Sequence, residues 1–377
     1  MNILIGADIV PTKTNEDFFI KSDKSLIGDE LYSILETADY RIFNLEVPLV
    51  GSQKPIKKNG PNLIAKPETI NGYSMIKTDL LTLANNHILD QDEQGLASTI
   101  EILNANNIKH VGAGKNLEEA SKPFVLNIDN KKVGVYACCE HEFSIASNCR
   151  PGANPFDPFE SLDHVFSLKK VCDFVIVLYH GGKEHYRYPS PCLQKTCRKL
   201  IDKGADLVVC QHSHCVGCEE NYRNGKIVYG QGNFIFDLMN NDFWQTGLLI
   251  KIGDEFKIDY IPIVKNGQFV RLADIATSKS ILDAFYQRSK SIMDEGFVYS
   301  KYREFALKNV GNYLVSIQGR RTFFGKAMNK LTSGAYYRHK TKSIYNLEKL
   351  TEVENIINCE AHRELFLEGI KAFNGRD

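Results

Sequence analysis

"ADLVVCQHSHCVGCEE" (residues 205–220) decides how the chain is read. An apolar, β-branched run leads into three cysteines, Cys210, Cys215 and Cys218, and two histidines, His212 and His214. Two architectures are compatible with it. The loop is a self-contained zinc knot, or its histidines are one corner of a site whose other donors come from distant segments. A zinc knot needs four ligands in tetrahedral range. Cys215-x-x-Cys218 supplies one pair, but the second would have to come from the same short loop, where neighbouring side chains point to opposite sides. No other Cys-x-x-Cys occurs in the chain. The spacing favours the distributed site.

Other apolar runs end in the same way. "NILIGAD" closes on Asp8, "RIFNLE" on Glu46, "LLTLANNH" on Asn85, Asn86 and His87, and "VIVLYHGG" on His180. Each run has the length and β-branched content of a buried strand. Helical patterns lie between them at 28–38, 93–107 and 191–204, the last ending in Gly204. Strand, helix, strand in this order predicts an α/β fold with helix-covered strands. The runs at 225–237, 246–253 and 255–265 follow one another without helices, which predicts antiparallel strands and a second sheet. In open α/β sheets, ligands bind beyond the carboxyl ends of strands. Oxygen and imidazole donors at five strand ends are the composition of a site for Mn, Fe or Zn, as one or two ions. "CCEHEF" adds Glu140, His141 and Glu142 after another strand.

Lys plus Arg is 46 and Asp plus Glu is 46 among 377 residues, so no global field favours nucleic acid. The N-terminus lacks the charge and apolar pattern of a signal peptide, and no apolar run is long enough for a transmembrane helix. Cysteines in buried runs fit free thiols in a reducing compartment, so a cytoplasmic location is expected. The pattern changes near 276, giving an expected division into an α/β domain, 1–275, and a helical C-terminal extension, 276–377. A segment at 319–342 carries Arg320, Arg321, Lys326, Lys330, Arg338, Lys340 and Lys342 without an acid. It reads as a solvated face or as a docking patch for an anionic partner or a membrane surface.

The motifs "GAD" (6–8), "NLEVPL" (44–49), "KNGP" (58–61), "LANNHILDQDEQGL" (83–96), "HGGKE" (180–184), "QHSHCVG" (211–217) and "YGQGNFIFD" (229–237) occur in this order. Together they resemble the capsule-synthesis (CapA, PGA_cap) branch of the calcineurin-like metallophosphoesterases. The resemblance covers roughly residues 1 to 270. It implies a four-layer α-β-β-α sandwich of two sheets, to which the C-terminal helical segment is added. It also implies that Asp8, Glu46, Asn86, His180, His212 and His214 hold divalent metal, with Glu46 bridging two ions. His87 takes the place of the family's catalytic histidine, with Asp90 orienting it. Asn85 is expected to support the loop or contact substrate. Lys58, Lys183 and Asn233 are further candidates for binding a small or polymeric anionic substrate. One departure stands out. Relatives that open with Asp-x-His draw a ligand from that histidine, whereas here the string is Asp8-Ile9-Val10.

The resemblance implies a metal-dependent hydrolase, a phosphoesterase, linked to capsule, exopolysaccharide or polyglutamate synthesis. The same chemistry would suit an amide of a glutamyl polymer. The competing expectation is a non-catalytic capsule-assembly factor that binds an anionic polymer or partner.

Overall fold

The computed structural model describes residues 1–237, 239, 241–319 and 321–373. Arg320 of the basic segment lies outside the described residues. In chain order the first strands are β1 (Ile3–Ile9), β2 (Tyr40–Leu45), β3 (Leu80–Thr82), β4 (Lys109–Val111), β5 (Ala113–Gly114), β6 (Phe124–Ile128), β7 (Lys131–Cys139) and β8 (Gly152–Ala153). They are followed by β9 (Phe174–His180), β10 (Leu207–Gln211), β11 (Val216–Tyr222) and β12 (Gly225–Gln231). The last are β13 (Asn233–Ile235), β14 (Thr246–Ile252), β15 (Ile258–Asn266) and β16 (Phe269–Leu272).

Two large sheets result. One has the order β16-β15-β14-β1-β2-β3-β4, with β13 pairing alongside the end of β1. The other has the order β11-β12-β10-β9-β7-β6. Each has a parallel centre, β1 to β4 in the first and β7, β9, β10 and β12 in the second. Antiparallel strands form the margins, β14 to β16 in one and β6 and β11 in the other.

Period-two alternation shows how the layers stack. On β7, β9 and β10, Val133, Val135, Ile176, Leu178, Leu207 and Val209 join the apolar core shared with β1 and β2. Their neighbours Tyr136, Cys138, Val175, Val177, Val208 and Cys210 face the other way. That second core is completed by Val165 and Leu168 of helix Glu160–Lys169 and by Cys197, Leu200 and Ile201 of helix Pro191–Asp202. On the far side, Leu31 and Leu35 of helix Asp29–Glu36 and Leu96 and Leu103 of helix Asp92–Ala105 pack on the first sheet's core. The architecture is the expected four-layer α-β-β-α sandwich.

Local chemistry explains the helix ends. Ser190 accepts a hydrogen bond from the Leu193 N–H, and Pro191 occupies the first turn, where its missing N–H costs nothing. The chain divides into two compact units, Met1–Val298 and Tyr299–Asp377. The pattern change at 276 falls inside the first unit, because helix Ile275–Ser291 buries Phe285 against Tyr260 of β15 and Arg288 donates to the Val216 and Gly217 carbonyls of β11. The second unit is helical, with helices Phe323–Leu331, Ala335–Lys342, Leu347–Asn358 and Glu360–Phe373 after the long helix Glu295–Ile317. Among the described residues, no helix is long and apolar enough to cross a membrane.

Candidate metal centre

Strand register builds the centre. In the parallel ladder Asp8 lies opposite Asn44, Asn44 opposite Thr82, and Asp8 also opposite Asn233. The carboxyl ends of β1, β2 and β3 and the first residue of β13 therefore form one row. His180 ends β9 opposite Gln211, the last residue of β10. Gln211 Nε2 in turn donates to the Gly6 carbonyl of β1 at 3.3 Å, tying the two sheets together beneath the cleft.

The side chains converge in two sets that share Glu46. One is Glu46, His180 and His212; the other is Asp8, Glu46 and His214, and every member is buried. His180 Nε2 lies 3.1 Å from Asn86 Oδ1, 3.1 Å from His212 Nδ1 and 3.3 Å from Glu46 Oε1. One imidazole nitrogen carries at most one proton and cannot satisfy three such neighbours. A single ion at about 2.0–2.2 Å from each donor keeps neighbouring ligand atoms roughly 3–3.5 Å apart, which is the spacing seen. In the second set, His214 Nδ1 lies 3.5 Å from Asp8 Oδ2.

The carboxylates give an independent test of fit. Both oxygens of Glu46, and Oδ2 of Asp8, are buried and make no well-formed hydrogen bond; Glu46 Oε1 and Asp8 Oδ2 have only the His180 and His214 imidazoles near them, at 3.3 and 3.5 Å. Unpartnered buried carboxylate oxygens are costly unless a cation meets them. The donor set of oxygen and imidazole suits a divalent ion of the Mn, Fe or Zn type.

The charges in the metal-free protein agree. Burial works against the Asp8 carboxylate, but pairing with His214 and the charge of His180 bring it below the usual range. Burial also opposes protonation of His214, yet Glu46 and Asp8 raise it to about 9 from 6.5. Burial and the neighbouring His180 and His214 push His212 well down, so it stays neutral. A metal must therefore displace a proton from His214. A raised pKa stabilises the metal-free fold fully below 6.5 and stops doing so as pH rises through about 9. The gap in melting temperature between Mn-loaded and EDTA-treated protein is thus expected to widen across that window. A gap independent of pH would contradict this charge assignment.

The loop carrying the histidines is strained. His212 and His214 have φ of 82° and 52°, in the left-handed region that side chains other than glycine seldom adopt. Such outliers cost of order 1–3 kcal/mol each and persist where the surroundings hold them. Gly230 is part of what holds them, since a Cβ there would meet the Cys215 carbonyl and the Ser213 hydroxyl, both at 2.7 Å.

The sequence-derived residues fall into three groups. Asp8, Glu46, Asn86, His180, His212 and His214 are brought together, as described. His87 and Asp90 are also joined, with His87 Nδ1 2.6 Å from Asp90 Oδ2, which leaves Nε2 as the nitrogen available to a reactant. Lys183 is exposed on the loop after His180, and its charge helps to depress His212.

Three further candidates have their polar groups engaged within the fold, Asn85 in the loop-supporting role expected of it. Lys58 is not at a substrate surface: its ammonium is buried and donates to Asp90 Oδ1, because the carboxylate inside the fold needs a counter-charge. Asn85 is fully committed to the loop, donating to Asn44 Oδ1 and the Leu45 carbonyl and accepting from the His87 N–H. Asn233 is fully buried with Oδ1 2.8 Å from His214 Nδ1, so it holds that imidazole.

Some contributors carry no local signal. Asn44 donates to Asp8 Oδ1 at 2.7 Å, lies 3.2 Å from His180 Nδ1, and accepts from Thr82. Asn44 lies on β2 two residues before Glu46, which follows the strand's end, and that spacing was the only sequence clue. Glu142 accepts from Asn86 Nδ2 at 3.1 Å and so turns Asn86 Oδ1 toward His180. Glu140 accepts from the Gly182 N–H, and His141 is exposed. The chain's single tryptophan, Trp244, has its ring 4.7 Å from His214. Cys215 and Cys218 are buried thiols outside both donor sets, and all ten cysteines are free. Among the described residues no cysteine joins a group of three potential metal donors, which argues against the zinc knot.

Fold and centre together define an α/β sandwich protein with a candidate two-ion metal site at its strand ends. The sequence profile of the family described as bacterial capsule synthesis protein PGA_cap matches residues 4–238, and the chain belongs to that family. The capsule biosynthesis protein CapA of Bacillus anthracis is 30% identical over 212 residues, 54% of this chain and 52% of that protein. The PGA biosynthesis protein CapA of Bacillus subtilis is 30% identical over 210 residues, 54% and 55% of the two chains. The chain therefore spans about half the length of the curated relatives it matches. Among solved structures, a putative 5'-nucleotidase from Staphylococcus aureus aligns at 16% identity over 75% of this chain and 58% of its own, with a TM-score of 0.43.

Proposed function

We propose that this chain is a metal-dependent hydrolase of phosphoester bonds that serves assembly of a capsule, exopolysaccharide or polyglutamate polymer. The observation carrying the reading is Glu46, a buried carboxylate whose oxygens make no well-formed hydrogen bond and which is shared by two donor sets. Two ions bound there would lower the pKa of a coordinated water and polarise a phosphoryl oxygen. The chain's own groups do the rest. Asp90 fixes His87 through Nδ1 so that Nε2 serves the leaving oxygen as proton donor. Lys58 holds Asp90, making both positioning residues rather than substrate contacts. Lys183, exposed beside the cleft, supplies positive charge for an anionic substrate. The polymer context rests on the names of the Bacillus relatives.

The test is hydrolysis of an aryl phosphate with added Mn, read beside metal analysis of protein purified without chelators. His87→Ala is expected to keep its metal and lose turnover by about 10²–10⁴-fold, the usual worth of a general acid. Undiminished turnover in that variant would remove the assigned role. One observation favours the non-catalytic reading: Val10, buried and apolar, stands where an Asp-x-His histidine would donate. Metal retention with no turnover on phosphoesters or glutamyl amides would decide for that reading.

A further inference from the structure

We propose that helices Phe323–Leu331 and Ala335–Lys342 form a docking surface for an anionic lipid bilayer. The inference is independent of the metal centre. The chain is neutral overall, yet residues 305 to 347 contain no Asp or Glu. The cations are therefore segregated here, and Arg321, Lys326, Lys330, Arg338 and Lys342 are all exposed.

The first helix divides cleanly at 100° per residue. Gly325 and Asn329 face inward. A Cβ at Gly325 would lie 2.8 Å from Tyr337 Oη, and Asn329 donates to Asn312 and accepts from the Tyr337 N–H. On the opposite side Phe323, Phe324 and Leu331 are 91%, 67% and 79% exposed, with exposed Ala327 between them. Lys326 and Lys330, four residues apart, line one edge of that apolar arc. Thr322 caps the helix by accepting from the Gly325 N–H, so this geometry is anchored at its start.

Exposed phenyl and leucyl groups beside lysines match a helix lying in the headgroup region, with apolar side chains in the acyl boundary and cations on lipid phosphates. A soluble polyanion would engage the lysines but leave the phenyl rings in water, so the bilayer accounts for both features. No described helix is suited to crossing a membrane, which makes this a surface contact.

The experiment is flotation of the full chain with vesicles of phosphatidylcholine alone or with about a third phosphatidylglycerol. Binding only to the anionic vesicles is expected, weakened at least about tenfold by Lys326→Glu with Lys330→Glu, since each membrane-facing cation contributes severalfold. Phe323→Ser with Phe324→Ser should weaken it comparably. Both pairs are exposed, and circular dichroism checks that each variant folds. No binding by the parent chain, or binding indifferent to either pair, would overturn the proposal. Soluble polyglutamate is the second probe. If it competes fully for the parent chain while the phenyl variant floats normally, a polyanion site replaces the bilayer surface.

Discussion

Glu46→Gln is expected to lower metal affinity by more than about 100-fold and to reduce bound metal below that of any single-histidine variant. Mutating groups that merely hold metal ligands costs about 10–100-fold. Glu46 belongs to both donor sets, so its loss should exceed that range. Glutamine keeps the shape but loses the charge, which otherwise supports protonation of His180 and His214 in the metal-free protein. Two measurements check it: metal content after gel filtration, and quenching of Trp244 on titration with metal. Trp244 is suited to this because its ring lies 4.7 Å from His214. Full metal retention by Glu46→Gln would mean that the shared carboxylate is not a ligand, and the two-ion reading would fail with it.

Asp90→Ala is expected to destabilise the fold by about 3–5 kcal/mol, the range for breaking a buried ion pair. Asp90 is fully buried and serves Lys58, His87 and the Leu63 N–H at once. Its removal strands the Lys58 ammonium, whose side chain is 3% exposed. In a unit of this size that corresponds to roughly 10 °C in melting temperature. Adding Lys58→Met should restore a good part of the loss, because no buried charge remains to be paired. An Asp90→Ala melting curve superimposable on the parent's would show that the ion pair contributes nothing. Turnover should fall in both variants while metal content holds, since His87 loses its anchor.

The segments that were legible are those whose signal is local. Apolar, β-branched runs predicted β1, β2, β7, β9 and β10, because a strand buried on both faces must be apolar throughout. Donors placed directly after such runs predicted Asp8, Glu46, His180, His212 and His214, because a strand end is where the chain leaves the core. β11 was hidden. Its run "VGCEENY" contains Glu219 and Glu220, but Tyr260 pairs with the first and Arg198, Gln194 and Tyr229 with the second. Such compensation comes from other strands and helices and leaves no trace in the run itself.

Lys58 shows the same limit from the other side. A lysine in "KNGP" reads as a loop charge, and only the fold brings it onto Asp90, thirty-two residues on. By itself the sequence determined the layered α/β class, the strand ends that carry donors, and the absence of a second cysteine pair for a zinc knot. The tertiary structure alone decided that Glu46 is shared, that Asn44 ties Asp8 to His180, that Asn233 holds His214, and that Asn85 and Lys58 face inward. The reason is register. Which residues of β1, β2 and β13 stand side by side, and which charges are buried there, depends on pairing between segments far apart in the chain, and local periodicity does not encode that pairing.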